Sequence, residues 1–399
     1  METKKGSSLL ETRRRNRVLL KDIIFNLEPV TRTAAAKELG LTLPTVTTSV
    51  NEMIEEGILE EVPVPEEKLK NNAGRKPVAI QFVAGAAVAV GVDIGPYATR
   101  IVLVNLRGEI LDSCESEPGD SDYSVMIKKL AHQIETLIKS VPRKKLLGVG
   151  IGLPGFIEPD NGIIRSHREK DWVGRNLAGD MEEMLHMPVV IDNNVRVRAV
   201  GYEMAQKGRW TEPFAYLYIS RGIACPFMTR GSGPSLYSSG AGELGHTILS
   251  MEEGGEKNLD QLAGEKAIRE LCQKELEMGR ALVLAQVLKE SGQADIDMKL
   301  IGEAQQLGDP QVKAILEKAI DYIGLALANV VNLLNPRFVV VDGYMMKSEN
   351  NRKQLQKATK KRFFGINEEE VQMIFLPFDH FSGAKSAGLF AIRQMFLEK

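Results

Sequence analysis

The sequence predicts an α/β protein in which an N-terminal winged helix-turn-helix precedes a two-lobed α/β body. Three observations carry this expectation: a pair of capped helical patterns within residues 31–57, an alternating ribbon on either side of a polar tip within residues 58–82, and a strand-rich unit from Ala84 that recurs near Phe214. The boundaries read as a head over residues 10–82, a first lobe over 84–208 and a second lobe with C-terminal helices over 209–399.

In the head, a first helix carries Leu20, Ile23, Ile24 and Leu27 as its expected core stripe, with Arg13, Arg14, Arg15 and Arg17 at its start. Thr31 is placed to cap a second helix that ends at Leu39, since a threonine hydroxyl accepts the free N–H groups of a first turn. Gly40 supplies the turn. Thr42 caps a third helix with Pro44 in its first turn, where a missing N–H costs nothing. There Val46, Val50, Met53 and Ile54 recur at i, i+4, i+7 and i+8 and so share one buried face. Thr45, Thr48 and Asn51 then point outward, with Thr47 and Ser49 beside them. Small hydroxyl and amide groups on an exposed helix suit a DNA major groove, the flanking hydroxyls lying near phosphates. A plain helical hairpin with a polar outer face would carry the same pattern.

The following ribbon favours the DNA reading. Residues 58–62 and the alternating Val78, Ile80 and Phe82 flank the tip KLKNNAGRKP. Gly74 lets that tip turn, and Lys68, Lys70, Arg75 and Lys76 are candidates for phosphates or a narrow minor groove; a merely solvated loop is the other reading. The candidate DNA-contacting set is Arg32, Thr45, Thr47, Thr48, Asn51, Arg75 and Lys76.

Charge is local. Residues 13–37 hold seven Lys or Arg against Asp22 and Glu28, whereas the whole chain carries a net charge of −2, so affinity for double-stranded DNA has to arise in the head. The segment METKKGSSLLETRRR lacks a signal peptide's apolar stretch, and no apolar run of about 18 residues occurs, so a cytoplasmic protein without a membrane partner is expected. Cys114, Cys225 and Cys272 are odd in number and widely spaced, which fits buried small hydrophobes better than disulfides or zinc ligands.

Behind the head, AVAVGVDIGPYATRIVLVNLRGEILDSCES reads as three strands joined by tight turns, and FAYLYISRGIACPFMTRGSGPSLY repeats the theme. The body therefore reads as duplicated, with a cleft expected between its lobes. On the ordered segments GVDIG (91–95), GIGLPG (150–155), GAGELGH (240–246) and LLNPRFVVVDG (333–343) behind a winged head, the chain resembles the ROK family over roughly residues 10–395. That family comprises sugar-responsive transcriptional repressors and sugar kinases. The resemblance implies an actin-like fold of the sugar-kinase and Hsp70 type, in which strand turns grip ATP phosphates and the sugar lies at the base of the cleft.

Phosphate cradles use glycine because the backbone must come close to the anion. Where ROK kinases resemble D-x-G-G-T, this chain has Asp93, Ile94, Gly95, Pro96 and Tyr97; where they resemble G-T-G-x-G-G-G, it has Ser220, Arg221, Gly222, Ile223, Ala224, Cys225 and Pro226. Near the adenine-side loop, Asp342, Gly343 and Tyr344 replace a glycine run. All three nucleotide loops read as degenerate, with Asp93, Gly95, Gly222 and Gly343 as their remnants, and ATP binding is not expected.

The family's catalytic base lies in an N-D-x-N segment. Matching the downstream Ala-x-Gly places Asn193 on its asparagine and Asn194 on its aspartate, while a shifted frame puts Asp192 in the acidic role. An amide has no useful basicity at neutral pH, and loss of a general base commonly costs about 10²–10⁴-fold in rate. No catalytic residue is therefore expected, Asn194 being a degenerate base position. The same asparagines can equally just cap a helix over residues 195–207.

Sugar contacts are better kept. Glu243 and His246 fall in the family's E-x-G-H segment, which implies bonds to sugar hydroxyls, and Asp260 in NLDQLAG matches the glutamate of C-L-E-A-Y-A. Asn193, Asn194, Glu243, His246 and Asp260 form the expected effector site, since carboxylates, amides and imidazole make the directional bonds that tell hydroxyls apart. In the other reading, Glu243 and His246 only pin a loop. The zinc motif C-x-C-G-x-x-G-C has no counterpart in residues 247–259, so no zinc is expected and the loop before Asp260 must be held otherwise. Arg165, Arg168 and Arg221 either favour an anionic sugar or are surface charges.

The expectation is a non-enzymatic, sugar-responsive repressor of carbohydrate genes, acting as a homodimer or homotetramer on operator DNA with recognition helices about one DNA turn apart. A sugar kinase that keeps a DNA-binding head, of glucokinase or N-acetylhexosamine kinase type, is the first rival. A DNA-bound scaffold sensing another protein is the second. Helices over residues 311–335 and 384–396 are apolar enough for intersubunit or core packing.

Overall fold

The structure is a computed structural model that describes residues 9–64, 78–118, 122–206, 212–229, 242–252 and 255–399. Lys68, Lys70, Gly74, Arg75 and Lys76 of the expected ribbon tip lie outside the described residues.

The chain opens with α1 (Leu9–Leu27), α2 (Arg32–Leu39) and α3 (Leu43–Glu55), followed by β1 (Leu59–Pro63) and β2 (Val78–Phe82), which pair antiparallel with Leu59 opposite Phe82. The caps form as their residue types dictate. Thr31 accepts the Ala34 N–H, Gly40 ends α2 at φ 64°, and Thr42 accepts the Thr45 N–H. Val46, Val50 and Met53 are buried, while Ile54 is half-buried at the edge of the stripe.

The stripe on α1 differs from the one expected. Leu20, Ile24 and Phe25 are buried, Ile23 is half-buried and Leu27 is exposed. The helix is turned so that Lys21 also faces inward, its ammonium donating to the Phe396 carbonyl at 2.7 Å and lying over the Phe396 ring. Periodicity places a stripe but does not foresee a buried lysine that finds an acceptor.

The body continues through β3 (Val88–Ile94), β4 (Thr99–Asn105), β5 (Ile110–Ser116), α4 (Tyr123–Leu137), β6 (Leu146–Leu153), β7 (Phe156–Glu158), β8 (Ile163–Ser166), α5 (Leu177–Leu185), β9 (Val189–Asn193) and α6 (Asn194–Ala205). The main sheet runs β5-β4-β3-β6-β9, with β4 and β5 antiparallel and β6 and β9 parallel to β3. Next come β10 (Phe214–Ile219), β11 (Ile223–Ala224), β12 (Phe227–Met228), β13 (Ile248–Glu252), β14 (Gly255–Asn258), α7 (Leu259–Ala263), α8 (Glu265–Glu277), α9 (Leu282–Ser291), α10 (Met298–Gln306), α11 (Pro310–Leu334), β15 (Phe338–Asp342), α12 (Glu349–Lys360) and β16 (Gln372–Phe375). The second main sheet repeats the plan of the first: β10 has antiparallel hairpin partners β11 and β12 on one side, then β15 and β16 in parallel on the other.

The chain closes with α13 (Ser382–Ile392), which runs into a π-helical turn over Arg393–Leu397. Two compact units result: one takes Met1–Trp210 together with Phe381–Lys399, the other Thr211–His380. The expected second lobe ran unbroken to residue 399; instead the last helix returns to the first unit. Glycine is the reason. A Cβ on Gly91 would lie 2.0 Å from the Ala384 carbonyl oxygen and one on Gly150 2.1 Å from that of Ala387, so helix and strand touch only because those side chains are missing. Among the described residues no helix is long and apolar enough to cross a membrane.

Candidate functional site

On the head, Thr45, Thr48 and Asn51 are exposed on α3 as expected, and Thr47 and Ser49 are half-buried beside them. Thr45 shares a 2.8 Å hydroxyl contact with Thr42. Arg32 donates to Asn51 Oδ1 at 3.1 Å and pairs with Glu61 at 2.7 Å, so it ties α2, α3 and β1 together rather than standing free. Arg17 pairs with Glu56. The exposed Arg13, Arg14 and Arg15 add positive charge at the start of α1.

In the first unit the resemblance-derived residues cluster where β3 and β9 end, the usual place for ligands at the carboxyl edge of a parallel sheet. Asp93 is buried and receives the Arg198 guanidinium at 2.7 Å, while the other arm of Arg198 donates to Ser382 Oγ at 2.8 Å. A Cβ on Gly383 would lie 2.1 Å from that same Asp93 carboxylate, so the start of α13 presses directly on the pair. Gly95 spends its N–H on the Ala98 carbonyl at 3.0 Å.

Asp192 is buried against Arg196, whose Nε lies 3.0 Å away, and accepts the Asn193 N–H at 2.6 Å. Burial pushes its carboxyl above the ordinary range, against the pull of Arg196. Asn193 is the N-cap of α6: Oδ1 accepts the Val195 and Arg196 N–H groups, and Nδ2 donates to the Gly155 carbonyl at 2.9 Å. Its amide thus both caps the helix and pins the loop after β6. Asn194 is nearly buried with its amide unbonded among the described residues. Sequence reasoning missed Arg196 and Arg198. The first lies only four residues after Asp192, across the turn from β9 into α6, a spacing that could have been noticed; the second pairs across 105 residues and carried no signal.

In the second unit, Asp260 lies on α7, started by a capping box between Asn258 and Gln261. Its Oδ1 accepts the Ile223 N–H at 2.8 Å. A Cβ on Gly245 would fall 2.1 Å from that oxygen and one on Gly222 3.3 Å from Oδ2. Two segments that the sequence assigned to different tasks, the second nucleotide loop and the E-x-G-H turn, therefore enclose one carboxylate. Burial raises the Asp260 pKa, opposed by the Ile223 N–H and by His246. Glu243 is half-buried and His246 exposed on the short turn that follows. This loop is held by the β13–β14 ribbon, by Leu259 N–H to the Thr247 carbonyl at 3.0 Å, and by the Thr247 hydroxyl to the Leu244 carbonyl at 2.7 Å.

The residues of the second nucleotide loop fit a phosphate cradle poorly. Ser220 N–H goes to the Gly222 carbonyl at 3.1 Å, Ile223 N–H to Asp260, and Cys225 N–H to the Gly242 carbonyl at 2.6 Å, while Pro226 has no N–H. Gly343 at φ 143° keeps the turn after β15 tight, where a Cβ would meet the Ile219 carbonyl oxygen at 2.2 Å. The arginines that hinted at an anionic ligand are partly spoken for: Arg165 pairs with Glu158 and Arg168 with Glu169.

A repeated mixed-sheet plan with polar groups gathered at strand ends defines an α/β protein of the kind seen in sugar-kinase folds. Residues 89–394 match the ROK family model, and the chain belongs to the ROK family. It is similar to the xylose repressor of Caldicellulosiruptor bescii, with 26% identity over 342 residues and 82% of each chain covered. It is also similar to the glucokinase of Halalkalibacterium halodurans, with 25% identity over 283 residues, 69% of this chain and 84% of that one. Among solved structures, a ROK family transcriptional regulator homologous to the E. coli MLC protein superposes over 97% of both chains with a TM-score of 0.76 at 19% identity.

Proposed function

We propose that this chain is a sugar-responsive transcriptional repressor that binds operator DNA through a winged helix-turn-helix over residues 10–82 and lacks efficient kinase activity. The observation that carries the reading is α3, which buries Val46, Val50 and Met53 and turns Thr45, Thr48 and Asn51 to solvent behind a doubly capped turn. Similarity to a xylose repressor over 82% of the chain, against 69% for a glucokinase, supports it. Thr47 and the tip residues Arg75 and Lys76 join the proposed DNA contacts, with Arg32 holding Asn51 in place. In the second unit Glu243, His246 and Asp260 are proposed effector contacts; in the first unit Asn194 is one, at the helix start that Asn193 caps.

The proposed route to the head runs through the first unit. Asn193 caps α6, Glu203 near its end binds Arg393 at 2.8 Å, and the Phe396 carbonyl accepts from Lys21 of α1 at 2.7 Å. The protein assembles as a dimer or tetramer on a roughly palindromic site. Electrophoretic mobility shifts with promoter fragments from its own genomic neighbourhood, with and without a panel of pentoses, hexoses and N-acetylhexosamines, test the reading. One fragment should bind, and one sugar should change its affinity by about 5–150-fold, the usual span of allosteric coupling. Indifference to every fragment overturns it, and robust ATP consumption with a sugar moves the chain to the kinase rival.

A further inference from the structure

We propose that Asn51 reads a guanine in the major groove as a hydrogen-bond donor only, and that Arg32 is the positioning residue that sets this preference. This role rests on the operator-binding reading above and deepens it by naming the base that one side chain recognises.

A guanidinium carries N–H donors and no acceptor, so whatever bonds to it must accept. Arg32 Nη2 lies 3.1 Å from the end of the Asn51 side chain, which therefore presents its oxygen, Oδ1, to Arg32. The arginine is lodged at the junction of α2, α3 and β1. Its Nη1 pairs with Glu61 of β1 at 2.7 Å, its Nε is buried, and its side chain is only 18% exposed. Asn51, by contrast, is exposed on the polar face of α3, and its Nδ2 meets no partner among the described residues.

Each base pair shows the major groove its own pattern of donors and acceptors. An asparagine that reads adenine uses both ends of its amide, donating to N7 and accepting from N6. Here the accepting end is turned toward α2 and β1 and already holds a charged donor, the stronger kind of hydrogen bond. What remains is the NH2 group. Guanine meets it with two acceptors, O6 and N7, whereas adenine sets its own N6 amino group against it and cytosine shows only the N4 amino group. The flipped amide is forbidden as well, because it would bring the Asn51 NH2 against the guanidinium with no acceptor between them. A free asparagine can turn either end to a base; one clamped by Arg32 cannot.

The test is selection from a randomised pool of double-stranded DNA by the full-length protein, followed by competition titrations on the enriched sequence. For wild type, one position should be guanine, preferred over adenine by about fivefold to tenfold, the worth of one neutral hydrogen bond. Replacing that base by 7-deazaguanine, which lacks the N7 acceptor, should weaken binding by a similar factor. Asn51→Ala should lose the preference there and keep those at other positions. Asn51→Asp has the same shape and keeps an oxygen for Arg32, but offers acceptors in place of donors, so the same position should turn to cytosine. Arg32→Met should bring adenine level with guanine while the dependence of affinity on salt stays as in wild type, since no phosphate contact is removed.

A wild-type preference for adenine at the position that Asn51 controls overturns the inference, as does a guanine preference that survives in Arg32→Met. A salt slope reduced by about one phosphate-equivalent in Arg32→Met assigns the arginine to the DNA backbone and overturns it too. Because Asn51 is exposed, its variants remain informative if Arg32→Met fails to fold, and an unaltered guanine preference in Asn51→Asp overturns the inference by itself. If the wild-type protein enriches no sequence at all, the operator-binding reading fails with it; enrichment that Asn51→Ala leaves unchanged at every position sinks the base assignment alone.

Discussion

The strand ends around Asp93 and Asp192 and the turn around Asp260 inherit comparable family motifs, yet they have gone opposite ways. In the first, buried carboxylates are consumed by arginines of the same unit, Arg198 for Asp93 and Arg196 for Asp192, and Asn193 divides its amide between a helix cap and the Gly155 carbonyl. In the second, Asp260 accepts a single backbone N–H between two glycines, with the exposed His246 nearby. A polar group fully matched inside the protein contributes to folding, and one left partly unmatched is available to a ligand. The contrast teaches that whether a polar group within a motif stays open to a ligand is visible in who bonds to whom, more than in which residue types remain.

Four substitutions break or sharpen this comparison. The largest effect is expected from Arg198→Ala, which leaves Asp93 buried without its partner; breaking a buried pair costs about 3–5 kcal/mol, to be measured by urea unfolding. Asp260→Asn should behave in the opposite sense. The amide oxygen still accepts the Ile223 N–H, so unfolding should shift little, while sugar-dependent operator release weakens by about 1.5–3 kcal/mol if the lost charge met a hydroxyl. A thermal shift by the inducing sugar that is unchanged in Asp260→Asn would remove that carboxylate from the effector site.

Gly245→Ala comes next. Its methyl would collide with Asp260 Oδ1, so the carboxylate must swing away, with a modest cost of about 1 kcal/mol in stability and a lower apparent affinity for the sugar. Equal sugar affinity in this variant would mean that the position of Asp260 is irrelevant to binding. The smallest effect is expected from Lys21→Met, which keeps the apolar stem against Phe396 but deletes the bond to its carbonyl. Operator affinity without sugar should stay close to wild type, and the sugar's effect on it should shrink by about 1 kcal/mol, read from paired mobility-shift titrations. An undiminished sugar effect would send the coupling by another route.

Much of the fold was legible because it rests on local chemistry. Thr31, Gly40, Thr42 and Pro44 announced two helices and the turn between them, and Val46, Val50 and Met53 announced the buried face. The duplicated strand pattern announced two sheets of one plan. The site was legible only in part. Asp260 and the E-x-G-H turn were named from the resemblance, but that Gly222 and Gly245 enclose the same carboxylate required the fold. The α1 stripe was right at Leu20 and Ile24 but missed Lys21 and Phe25, because a buried lysine with a distant acceptor has no periodic signature. The C-terminal helix was assigned to the second lobe because sequence adjacency said nothing of the glycines that let it lie on β3.

By itself, then, the sequence determined the elements, their caps and the list of altered motif positions, since these depend on neighbours a few residues apart. Tertiary structure alone decided which polar groups were already satisfied: Asp93 by an arginine 105 residues away, Lys21 by a carbonyl 375 residues away. Hydrogen bonding is short-ranged in space but indifferent to separation along the chain, so whether a side chain is free for a ligand is settled only when the chain has folded.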